Sequence, residues 1–266
     1  KDREWLVSPL HLNFWRPTTN NDEGAKLNDK LKVWQYAGVK AKASQVTAAQ
    51  DGKDVTITAT LQIPAGDSSA TIQYRITGNG QILVDTEFRA GNDLPTIPRI
   101  GFQAQIPNNS PLLQWHGKGP QENYIDRSTG AWTTIHGGLI PALFHRYADP
   151  QESGNRTGIR WVTLSAPAGG ASLRVDATGE HLLEMSVYPC SAADITLAVH
   201  PDEIPQRDFQ TLNLDHRHSG LGGSDSWGAL ALPKYLIKPN STYRWSFMLT
   251  ASEAPAAQTP ILPRPR

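Results

Sequence analysis

The chain predicts an all-β antiparallel sandwich. Its dominant hydrophobic period is two, turn residues recur between the alternating runs, and helical spacing is scarce. Val55, Ile57, Ala59, Leu61 and Ile63 alternate with Thr56, Thr58, Thr60 and Gln62, the pattern of a strand with one face buried. Ala70, Ile72, Tyr74 and Ile76 repeat it. Gly78-Asn79-Gly80 reads as a hairpin turn, after which Ile82, Val84, Thr86 and Phe88 return. Ile100, Phe102, Ala104 and Ile106 form another strand closed by Pro107, and Tyr243, Trp245, Phe247 and Leu249 a last one. Leu27, Leu31 and Trp34 predict one short helix that Gly38 stops. Nothing repeats at a fixed period, which excludes a solenoid or propeller. We expect one domain over residues 1–250 and an extended or mobile Ala/Pro-rich tail over 251–266.

At 266 residues the chain can bury a sizeable core. Its Lys+Arg and Asp+Glu counts, 25 each, cancel, and no basic run exists to neutralise phosphates, so nucleic acid is not expected as a partner. No apolar stretch reaches bilayer length, and no membrane partner is expected. Cys190 is the only cysteine, which excludes an internal disulfide. A reducing compartment and a cysteine-poor secreted protein both fit, so localisation, cytoplasmic or periplasmic, stays open. The chain does not begin with Met, and we read it as part of a longer protein.

The segment Leu212 to Trp227 carries the most chemistry. It begins as a strand and ends in Gly220-Leu221-Gly222-Gly223-Ser224-Asp225-Ser226-Trp227. Glycines permit backbone angles that other residues resist, and Ser224, Asp225 and Ser226 can bond their own backbone. Such a turn can hold an indole as a flat plate, on which the C–H face of a sugar packs while its hydroxyls stay free. A core tryptophan after a tight turn is the plain alternative.

Four segments together resemble the small-chain region of the family 2 β-galactosidases. The glycine-rich turn is one. Asn13-Phe14-Trp15-Arg16-Pro17-Thr18-Thr19-Asn20-Asn21-Asp22 is similar to the family's Phe-Arg-Ala-Pro-x-Asp-Asn-Asp. Gly117-Lys118-Gly119-Pro120-Gln121-Glu122-Asn123-Tyr124-Ile125-Asp126-Arg127 matches its Gly-x-Gly-Pro-x-Glu-x-Tyr-x-Asp-Arg signature, and Pro150 to Arg156 resembles its Pro-x-Glu-x-Gly turn. The resemblance implies a large antiparallel supersandwich like that of galactose mutarotase. It also implies that two strands precede the Asn13 segment. If they are missing, an edge with unpaired backbone groups is exposed.

The resemblance places both catalytic glutamates on a separate (β/α)₈ barrel, for which this chain has no room. No catalytic residue is therefore assigned, although Asp22, Glu23, Glu122, Asp126, Glu152, Asp215 and Asp225 supply carboxylates. By resemblance the domain contributes wall to a galactoside site completed by that barrel. Trp227 forms a sugar platform, and Glu122 contacts the ligand or braces its loop. Gly119, Pro120, Asn123, Asp126, Arg127, His218, Gly222, Gly223 and Asp225 support the site. Gly119 to Arg127 is expected as an exposed loop at the same end as Trp227. Ser224 stands where an acid is common. Asn20 and Thr18 depart from the first motif and are expected to loosen that connection.

Asp215 and His218 read as a buried hydrogen-bonding pair. Arg99, Arg127, Arg156 and Arg160 are candidates for loop-pinning ion pairs. His216 and His218, two apart on a strand, share a face, but no third ligand is convincingly spaced, so neither metal nor cofactor is expected. Three other functions compete: a free-standing carbohydrate-binding module, a mutarotase-like aldose epimerase using His116, His145 or His218, and an oligomerisation surface.

Overall fold

The structure, a computed structural model, describes residues 3–166, 170–224 and 227–253. Two antiparallel sheets carry the fold. The five-stranded sheet runs in the order β1 (His11–Asn13), β6 (Arg99–Pro107), β13 (Phe209–His218), β12 (Leu183–Tyr188) and β9 (Arg156–Ile159). The nine-stranded sheet runs β2 (Lys42–Asp51), β3 (Asp54–Ile63), β4 (Ser68–Ile76), β5 (Gln81–Arg89), β14 (Thr242–Ser252), β11 (Ser172–Ala177), β10 (Trp161–Ser165), β7 (Leu112–Gly119) and β8 (Trp132–Leu139). Each of the runs predicted from alternation is a strand here.

The core lies where the alternating residues of the two sheets meet. Phe102 of β6 packs against Trp245 and Phe247 of β14, with ring centroids 5.8 and 5.6 Å apart. Phe14, Trp34 and Phe88 close one end of the same cluster. A buried aromatic of this kind contributes about 3–5 kcal/mol on truncation to Ala. β2 escaped the sequence reading because it is an edge strand exposed along its whole length, with no apolar face to generate a period. β12 escaped it for the opposite reason: every residue is buried, polar ones included.

The predicted single helix is broken. α1 (Asn20–Gly24) and α2 (Leu27–Lys30) are separated around Lys26, whose φ of 56° is left-handed, and a 3₁₀ turn follows over Lys32–Trp34. Leu31 and Trp34 are buried, so burial rather than helix continuity explains their spacing. Gly38 does not act as a helix stop; a Cβ there would fall 1.8 Å from the carbonyl oxygen of Leu12, a backbone approach that only glycine permits. Two short helices complete the set, α3 (Ile140–Leu143) and α4 (Ala192–Leu197). Among the described residues no helix is long and apolar enough to cross a membrane. The expected tail begins later than alternation indicated. Ala251 and Ser252 still pair with Leu173 and Ser172, since a backbone ladder needs no alternating side chains. Residues 254–266 lie outside the described residues.

Candidate functional site

One face of the five-stranded sheet is apolar and joins the core; the other is polar yet buried. Leu212 and Leu214 of β13 point inward, while Asn213 and Asp215 between and beyond them are also fully buried. Arg99 Nε donates to Asp215 Oδ2 at 3.0 Å, and its Nη2 lies 3.8 Å from Glu152 Oε1. Tyr188 Oη donates to both Glu152 oxygens, at 2.9 and 2.8 Å. Asn155 Nδ2 donates to Glu184 Oε2 at 2.9 Å. Burial away from water drives the Asp215 carboxyl up to about 8 despite the Arg99 guanidinium, and drives Glu184 up to about 7. Glu152 and Asn155 thereby fasten their loop to the sheet, and Asn155 Nδ2 also donates to the Asn123 carbonyl at 3.1 Å, which ties in the 119–127 segment.

Asp215 and His218 are not the pair the sequence reading expected. Asp215 bonds Arg99, whereas the His218 Nδ1 lies 2.8 Å from the Ser219 carbonyl and its ring meets Tyr124 edge-on at 5.3 Å. A register break between Asp215 and Arg217 puts the Asp215 and His218 side chains on the face of Gly101 and Arg99, where Arg99 takes the Asp215 carboxylate. It also separates His216, stacked on Trp245 at 5.4 Å and 14°, from His218. The shared face expected of an i, i+2 pair is lost. Among the described residues no group of three or more His, Cys, Asp or Glu could hold a metal ion.

Beyond β13 the glycine-rich turn is built on Asn21 of α1. Asn21 Nδ2 donates to the carbonyls of Leu221 and Ala229, both at 2.8 Å, and Gly228 N donates to Asn21 Oδ1 at 2.6 Å. Gly222 has φ 71°, and a Cβ there would lie 2.3 Å from the Ala229 carbonyl oxygen, so the turn requires glycine. Trp227 is 73% exposed. One side of its indole meets Gly24: a Cβ on that glycine would lie 3.0 Å from Cδ2 and from Cε2, the shared bond of the two rings. Neither Asn21 nor Gly24 is assigned to the site from the sequence, although Asn21 lies in the first family motif and Gly24 two residues beyond it.

In the Asn13–Asp22 connection Asn20, one of the two departures from the motif, is tied down by hydrogen bonds. Asn20 N donates to Gln151 Oε1 at 3.3 Å, and Asn20 Nδ2 bonds Asp149. Arg16 grips Asp22 through Nε–Oδ2 at 3.2 Å and Nη2–Oδ1 at 2.8 Å, both residues buried. Thr19 and Asp22 cap α1 reciprocally.

The 119–127 segment meets the glycine turn directly. Gly222 N donates to Asp126 Oδ2 at 2.9 Å, and Arg127 Nη2 donates to the Gly222 carbonyl at 2.5 Å. It is therefore at the same end as the turn, but it is not exposed throughout. Gly119 ends β7, the Gly119–Pro120 peptide is cis, and Asn123 and Tyr124 are each 1% exposed. Asn123 is held inside because its Oδ1 accepts from the amide and hydroxyl of Thr157, at 3.0 and 2.7 Å. Glu122 is half-buried and braces the loop: Gly154 N donates to Oε2 at 2.6 Å, and Tyr147 Oη donates to Oε1. Gly223 is exposed in the turn, and Asp225 lies outside the described residues.

The family described as the β-galactosidase small chain matches residues 1–249. The β-galactosidase of Priestia megaterium is 31% identical over 92% of this chain and 24% of its own length. That of Halalkalibacterium halodurans is 29% identical over 92% and 24%. The chain thus spans about a quarter of the length of these relatives, 24%. Among solved structures, the galactose 1-epimerase of Lactobacillus acidophilus NCFM is similar, with a TM-score of 0.45 and 10% identity, covering 79% of this chain and 66% of that one. The family match takes in the glycine turn, its Asn21 anchor and the loop tied to it, and on that match the chain belongs to the β-galactosidase small-chain family.

Proposed function

We propose that this chain is the accessory domain of a β-galactosidase and completes a galactoside site whose catalytic carboxylates lie elsewhere in the whole protein. The observation that carries the reading is an indole 73% exposed on a turn that hydrogen bonds hold in place. A large exposed aromatic held this firmly is suited to a partner outside its own fold. Trp227 is the platform for the apolar face of the sugar. Glu122, with both oxygens engaged inside the domain, is a brace for the wall rather than a ligand contact. The relatives' names, and the quarter of their length that this chain matches, support the assignment of the bond to a β-galactoside.

The test is a chimera in which this chain replaces the matching part of the Priestia megaterium β-galactosidase. Trp227→Ala in the chimera is expected to weaken galactoside binding by about 0.5–1.5 kcal/mol, roughly two- to thirteenfold. Unchanged kinetics in that variant would overturn the platform reading. The chain alone is expected not to hydrolyse a chromogenic galactoside, and turnover lost on mutating one of its own glutamates would contradict the assignment of chemistry to another domain.

A further inference from the structure

A second concave region lies where the β13 bulge, the 233–238 turn and the start of β14 converge, bordering the 119–127 segment at Ile125. Two cavities of about 390 and 770 Å³ share His181, His216, Arg217, Lys234 and Leu236 as walls, and so form one groove. Neither Trp227 nor Glu122 lines it. Its size is that of a small-molecule site.

The chemistry of the walls is selective. His216 is 5% exposed, yet its Nδ1 has no hydrogen-bond partner. Its ring is fixed by Trp245 on one face and by Tyr243 and His181 at its edges, 5.9 and 5.3 Å away. Nδ1 itself is closed to solvent, but the ring lines both cavities at a fixed position, which suits it to a polar group of a ligand. Arg217, Lys234 and Lys238 are exposed along the groove, and among the described residues none of the three forms an ion pair. The acids nearby do not neutralise them. Glu184 accepts from Asn155 Nδ2 and from His218 N, and Glu180 is exposed at the rim. Tyr243 and Leu236 add apolar wall.

We infer that this groove binds a monosaccharide carrying one oxyanion, a carboxylate or a phosphate. The cations meet the oxyanion, the His216 imidazole meets a hydroxyl, and Tyr243 and Leu236 meet the C–H face. A purely apolar ligand would leave the cations and His216 unmet, and a bare anion would leave the apolar wall unused.

Calorimetric titration of the 266-residue chain with galacturonate, galactose 6-phosphate and galactose tests this. At least one of the charged sugars is expected to bind tenfold or more tightly than galactose, and which one does identifies the oxyanion. Binding is expected to weaken with added salt. A Lys234→Ala/Lys238→Ala variant, altered only at exposed side chains, is expected to lose at least tenfold, with an unchanged melting curve. Trp227→Ala is expected to bind as the parent does, which separates this site from the platform above. Equal affinity for charged sugar and galactose, no loss in the lysine variant, or loss in Trp227→Ala would each overturn the inference.

Discussion

The indole of Trp227 rests over Gly24, the last residue of α1, with its ring-fusion atoms 3.0 Å from where a Cβ on that residue would stand. The backing is a glycine 203 positions earlier in the chain, and most of the ring remains in solvent. Trp227→Ala is therefore expected to cost less than about 1 kcal/mol of folding stability, as for most surface changes. A thermal melt of the parent and variant chains checks it; a loss of about 3–5 kcal/mol would mark a core tryptophan.

Gly24→Ala should displace the indole without unfolding the domain. The added Cβ falls 3.0 Å from Cδ2 and Cε2 of Trp227 and 3.1 Å from the Gly228 Cα, so one neighbour must give. The exposed ring is freer to move than the backbone. The expected result is a changed Trp227 environment, read by fluorescence against a Trp227→Phe control, with about 1 kcal/mol or less of destabilisation.

Asn21→Ala should loosen the turn more than any change at Trp227. It removes the two donor bonds to the Leu221 and Ala229 carbonyls and the acceptor for the Gly228 amide. Leaving such part-buried groups unmet costs about 1–3 kcal/mol. Limited proteolysis is expected to cut the Asn21→Ala chain within residues 221–229 faster than the parent, and equal cutting rates would remove Asn21 from its anchoring role.

The buried carboxyls make a signed prediction for pH. Glu184 titrates near 7 in the folded chain, above the ordinary carboxylate value, because burial opposes its charge. Between that ordinary value and about 7, the folded state holds a proton that the unfolded state has released. Raising pH through this window therefore lowers stability. His216, lowered to about 4, and His218, also lowered by burial, act oppositely and lower stability as pH falls below the ordinary histidine range. The whole-protein profile mixes these effects, so a difference measurement isolates Glu184. Relative to the parent, Glu184→Gln is expected to gain stability on going from pH 5 to pH 8, by about 1–3 kcal/mol. A gap between the two melting curves that is independent of pH would contradict the assignment.

Alternation in the sequence identified β3, β4, β5, β6 and β14, because each buries one face and leaves a period of two. The glycine turn and the Gly119–Arg127 segment were legible as well, since their residue types and order carry the family's motifs. The sequence by itself thus determined the sheet class, the family and the residue to examine first. Only the tertiary structure decided how these pieces act together. It gave the Asp215 carboxylate to Arg99 rather than His218, and it put His216 and His218 on opposite faces, because side-chain facing cannot be counted across a bulge. It turned Glu122 inward onto Gly154 and Tyr147, and it brought Gly24 and Asn21 under a turn some 200 residues away. Local pattern records which face a residue needs to bury; it does not record which distant backbone group will be waiting there.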